Sequence, residues 1–145
     1  MPEFRYARGR IIDSIRFISE EMKEFEEEYS QKTKKEYQND RKLQKLMDRT
    51  VENILTALVE GCGTFLTEKG IAAESYADAL GKCAQELGLN QSGQEDLSAL
   101  AIQRNRLAHR YLNFRWQAVH DFSTKRALIT KVVSLLLQRE EEKKP

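Results

Sequence analysis

One stripe governs what this chain can fold into. From Asp40 to Lys69 the apolar residues Leu43, Leu46, Met47, Val51, Ile54, Leu55, Leu58, Cys62, Phe65 and Leu66 recur at steps of three and four. That is the repeat of one face of an α-helix. No alternating run competes with it, and only two prolines and seven glycines punctuate 145 residues. Such a chain favours long, solvated helices over a sheet.

The same period predicts four more helices. The first spans about Arg10–Tyr29, with Ile11, Ile15, Ile18, Met22 and Phe25 on one side and a glutamate-rich face on the other. Residues 30–38 are polar and basic and read as a connection, after which Asn39 or Asp40 caps the long helix. Gly61 and Gly63 inside it mark close packing or a bend, and Gly70 ends it. A shorter helix begins near Ser75, capped by Glu74 or Ser75, Gly88–Gly93 forms a loop, and a fourth helix covers about Gln94–His109. After a break at Tyr111–Phe114 the last runs from about Arg115 to Arg139, and Glu140–Pro145 is a frayed, charged tail. The expectation is one all-α domain over 1–145, an antiparallel bundle of four to five helices.

Composition removes several function classes. Lys and Arg number 24 against 23 Asp and Glu, so nucleic-acid binding has to come from a local patch. Cys62 and Cys83 have neither a disulfide framework nor metal-ligand spacing and read as buried, reduced thiols. The N-terminal segment lacks the apolar stretch of a signal peptide, and no apolar run approaches a membrane span, so a cytoplasmic protein is expected. The histidines at 109 and 120 lie far from any cysteine in sequence, which argues against zinc; no cofactor is expected.

The patch is in the run Gln103-Arg104-Asn105-Arg106-Leu107-Ala108-His109-Arg110-Tyr111. From Leu97 to His120 there is no Asp or Glu, yet Arg104, Arg106, Arg110 and Arg115 all fall there. A titratable imidazole in a positive field suits holding a phosphate and moving a proton near neutral pH. RNA can be cut in this way by attack of its own 2′-hydroxyl, with imidazole as acid and base and guanidinium on the phosphate. Asn105 is placed to orient His109 or bond the substrate, and Tyr111 to stack on a base or donate to a phosphate. His109 lies five residues after Arg104, about 140° round a regular helix. Both then reach one phosphate only if the helix loosens or a second copy supplies the other half across a two-fold axis. A solvated arginine face with a helix-end histidine gives the same sequence pattern, in which case the chain is a helical scaffold. His120, in the apolar part of the last helix, reads as packing.

Arg104-Asn105-Arg106-Leu107-Ala108-His109-Arg110-Tyr111 resembles the Arg-x4-His-x-Tyr signature of HEPN-domain proteins, specifically the HepT-like toxins. The likeness extends to Arg49–Ile54 in the long helix, to Glu74–Leu80 opening the third, and to the spacing from motif to last helix. In one departure, Phe114 and Arg115 stand where the family often has an apolar and then an acidic residue, so Asn113 is the candidate cap for the last helix. The resemblance implies a HEPN-like homodimer with two motifs facing one cleft, and a metal-independent ribonuclease acting on RNA such as tRNA. It makes Arg104 and His109 the catalytic pair, Asn105, Arg106 and Arg110 supporting or substrate-binding residues, and Tyr111 both a binding and a modifiable residue. The implied partner is an MntA-like minimal nucleotidyltransferase, an antitoxin that transfers AMP to Tyr111 and joins the toxin in a larger complex. The alternative within the same family is a non-catalytic subunit that binds nucleotide or presents substrate to that partner.

Overall fold

The computed structural model describes residues 2–109 and 114–143, with the side chains of 2–10 left out. Seven helices and no strand are found among them: α1 (Pro2–Glu28), α2 (Lys34–Asn39), α3 (Arg41–Glu68), α4 (Tyr76–Glu86), α5 (Gln91–Ala108), α6 (Arg115–Thr124) and α7 (Arg126–Glu142). The expected all-α bundle is present, as five rods (α1, α3, α4, α5 and α6–α7) with the short α2 added. No described helix is long and apolar enough to cross a membrane.

Helix boundaries follow local chemistry. Asp40 caps α3 by accepting from Leu43 N at 3.0 Å, Ser75 caps α4, and Asn90 caps α5 by accepting from Gly93 N at 2.8 Å. The last of these starts α5 three residues before the expected Gln94, so part of the anticipated 88–93 loop is helical. Gly70 and Gly88 stand just past α3 and α4 with φ of 73° and 86°. There Ile71 N bonds Leu66 O and Leu89 N bonds Ala84 O, the paired closure that needs a left-handed residue.

Helix α1 likewise begins at Pro2, before the expected Arg10, and three further expectations need correction. Residues 34–39 form a helix where a plain connection was anticipated. Thr33 and Glu36 cap it reciprocally, and Tyr37 anchors it in the core. The last rod is interrupted at Lys125 without Gly or Pro. There the Thr124 hydroxyl takes Asp121 O, Arg126 Nε takes Ser123 O, and Lys125 N turns back to Phe122 O, so side chains replace the α-helical ladder. The charged end does not fray at Glu140: α7 continues to Glu142, Glu140 is 2% exposed, and Lys143 binds both Glu140 and Glu68 at the end of α3. Burial disfavours the Lys143 charge, but its bonds to the two carboxylates outweigh that and raise its pKa.

Helix α3 is the axis of the bundle. It packs on α1, α2, α4, α5 and α6 and buries residues on more than one face, among them Met47, Ile54, Leu55, Leu58 and Leu66. Helix α1 runs antiparallel to it, since Asn53 bonds Glu21 while Gly61 lies beside Ser14. Cys62 of α3 and Cys83 of α4 are free, fully buried and hydrogen-bonded to each other; that bond and burial push the Cys62 thiol well up. Phe122 of α6 meets Phe25 of α1 edge-on at 5.0 Å between ring centres. Phe122 is 0% exposed, so Phe122→Ala should cost about 3–5 kcal/mol by leaving a cavity between α1 and α6. Urea unfolding monitored by circular dichroism measures this, and a loss under about 1 kcal/mol would contradict the packing.

Candidate functional site

The last two turns of α5 carry the arginine–histidine run, and the structure sends its side chains to different places. Arg104 is half-buried. Its Nε donates to Thr56 Oγ1 of α3 at 3.4 Å, and its guanidinium lies over the Tyr76 ring at the start of α4, 5.1 Å from the ring centre. Arg106 turns the other way, bonding the buried Gln103 amide oxygen at 3.2 Å and covering Phe114 at 4.8 Å. Asn105 is exposed, and its backbone carbonyl accepts from His109 N at 3.0 Å. His109 is the exposed C-cap of α5. Arg110, Tyr111 and the expected cap Asn113 lie outside the described residues.

Arg104 and His109 therefore leave α5 in different ways, one pinned inward against α3 and α4, the other at the helix end. The arrangement leaves the exposed side of α5 carrying Ile102, Asn105 and His109 at helical spacing, with Ile102 52% exposed.

Beside this turn is a cluster that sequence reasoning missed. The Tyr37 hydroxyl donates to Asp48 Oδ1 at 2.5 Å, and Arg115 Nη1 lies 3.6 Å from Asp48 Oδ2. Phe114 makes no side-chain cap for α6. Arg115 instead ties the first turn of α6 to α3. Burial raises the Asp48 pKa, although the Tyr37 bond and the Arg115 charge pull against it, and burial with the Asp48 bond raises that of Tyr37. Trp116 packs on Tyr37 with ring centres 5.2 Å apart. His120, expected in the core, is exposed and stacks on Trp116 at 5.9 Å; Ala118, Val119 and Phe122 take the buried face of α6. Two signals were available in the sequence: the Thr33–Glu36 capping pair that places Tyr37, and Asp48 as the one acidic residue between Arg41 and Val51.

Among the described residues no three His, Cys, Asp or Glu side chains converge as a metal site would require. An open groove of about 1120 Å³ runs along the N-terminal half of α3 to Leu107 and Ala108.

The sequence model of the family described as Ribonuclease HepT-like matches residues 18–132, from α1 into α7. No curated protein and no solved structure matches.

The Asp48 environment has a pH signature. A carboxyl whose folded pKa lies above its unfolded value stabilises the fold when protonated, and that contribution is lost as pH rises through the folded pKa. Relative to Asp48→Asn, the unmodified protein should gain stability as pH falls from neutral into the carboxylate range. Thermal melts of both proteins from pH 7 to pH 4 measure this, and parallel profiles would refute it.

Proposed function

The chain belongs to the HepT-like ribonuclease family, and from that premise we propose that it is an endoribonuclease toxin that cuts RNA without a metal ion. The observation that carries the reading is the C-terminal end of α5. It holds a guanidinium fixed by Tyr76 and Thr56, five residues before an exposed imidazole.

Arg104 binds the scissile phosphate. A guanidinium already oriented by a ring and a hydroxyl loses less freedom on binding than a mobile one. His109 handles protons. The 2′-oxygen bonds phosphorus as the bond to the 5′-oxygen breaks; a base takes the 2′-hydroxyl proton and an acid protonates the leaving oxygen. The products are a 2′,3′-cyclic phosphate and a 5′-hydroxyl. The divergence of Arg104 and His109 supports a two-fold homodimer in which each copy completes the other's site. The exposed Ile102 on the stripe of Asn105 and His109 is the apolar contact such pairing would cover.

Regulation follows the family's logic. An MntA-like nucleotidyltransferase antitoxin transfers AMP to Tyr111. A phosphodiester and nucleoside there occupy the cations meant for RNA and block entry. Asn105, Arg106 and Arg110 support substrate binding, and the toxin acts in the cytoplasm.

The test is cleavage of total RNA and of tRNA by unmodified protein in EDTA. His109→Ala should lower the rate by about a hundredfold or more while the dimer and its melting temperature persist. Cyclic-phosphate ends identify the reaction. No cleavage by a folded, unmodified dimer would favour the non-catalytic nucleotide-binding subunit.

Tyr76 should act as a positioning residue for Arg104. Tyr76→Phe keeps a ring face under the guanidinium and should retain most activity, whereas Tyr76→Ala should lower kcat about tenfold with a smaller change in melting temperature. Equal activity in the two variants would remove that role.

A further inference from the structure

The groove along α3 has no part in the chemistry above, and its composition is unusual for a chain of net charge +1. Arg41, Lys45 and Arg49 stand at steps of four on α3 and line it. All three are exposed. None makes an ion pair or a side-chain hydrogen bond among the described residues. The neighbouring acid, Asp48, is already engaged by Tyr37 and Arg115, which leaves Glu52 as the unengaged carboxylate of the lining. Three cations therefore face one carboxylate in an open channel.

The cations also point somewhere. Continuing along α3, Asn53 shares the groove with Leu107 and Ala108, and Thr56 holds Arg104. Steps of four residues rise about 6 Å along a helix, close to the separation of successive phosphates in an extended strand. The line from Arg41 to Thr56 is about 22 Å long at 1.5 Å per residue. A smaller pocket of about 470 Å³ adjoins it, lined by Phe114, Trp116 and Lys34. Cations tracking a backbone beside aromatic faces are what unstacked nucleic acid requires.

We propose that this groove binds single-stranded RNA on one side of the cut, with Arg41, Lys45 and Arg49 on successive phosphates and the aromatic pocket taking an adjacent base. The strand is thereby led to Arg104. The inference rests on the ribonuclease reading and specifies its substrate: RNA with a single-stranded stretch of a few nucleotides next to the scissile phosphate. An acidic protein surface is the competing occupant. The aromatic pocket favours RNA, since ring faces stack on bases, whereas a carboxylate can use only the Trp116 indole N–H of those rings.

The experiment measures binding separately from cleavage. Fluorescence anisotropy of 2′-O-methyl RNAs of two, four and eight nucleotides, which cannot be cut, is followed against salt. In the unmodified protein affinity should rise with length. In R41Q/K45Q/R49Q the eight-nucleotide RNA should bind about tenfold more weakly, and the slope of log affinity against log salt should flatten by about 2, at roughly 0.7 per phosphate contact. R16Q/K23Q/K131Q removes equal charge from exposed positions elsewhere and should change affinity less than about twofold. Matching circular dichroism and melting temperatures establish that both variants fold. Equal RNA binding by the two triple variants overturns the proposal while leaving the ribonuclease reading intact. Equal RNA binding with lost association of R41Q/K45Q/R49Q with a nucleotidyltransferase antitoxin overturns it in favour of a protein partner. An unmodified protein that neither binds nor cuts RNA of any length overturns the ribonuclease reading itself.

Discussion

Everything in this molecule is arranged around a helix that has to be core and surface at once. Helix α3 contacts α1, α2, α4, α5 and α6, and its C-terminal half is buried on most sides. The same helix supplies Thr56 to Arg104 and the cations of the groove. The position of Arg104 is therefore set by the packing of α3 against α4 and α5. A shift of α5 by one turn against α3 and α4 would separate the guanidinium from both Thr56 and Tyr76, because a helical turn moves a side chain by about 5.4 Å.

The sequence was most informative where physics is local. The stripes on α1, α3 and α4, the Asp40 and Ser75 caps and the glycine at 70 were legible because each depends on residues within a turn or two. The miss at α2 has the same character: its capping pair was present, but one apolar residue, Tyr37, does not make a stripe. The interruption at Lys125 was not legible. It comes from side chains competing for carbonyls in a segment whose apolar period continues without a break. His120 went wrong because apolar neighbours on the sequence line are not neighbours on the helix face.

The site divided in a similar way. The spacing of Arg104 and His109, and the difficulty of bringing them to one phosphate, were visible from helix geometry. The partners that fix Arg104 were not, since Thr56 is 48 residues away and periodicity carries no record of which faces meet. The departure at Arg115 raised the question of how α6 begins, and the answer lies across the bundle on Asp48. Because Asp48 is drawn inward by Tyr37 and Arg115, it does not neutralise the exposed cations beside it.

The interruption at Lys125 has a mechanical consequence. Helix α6 carries Arg115 and Trp116 into the groove wall, while α7 is clasped to the far end of α3 through Lys143, Glu68 and Glu140. An unbroken rod would transmit any tilt at one end to the other. With a joint in between, the backbone torsions at one residue set the angle between the two segments. The wall of the groove and the clasp that closes the bundle are thus separate levers on a shared pivot.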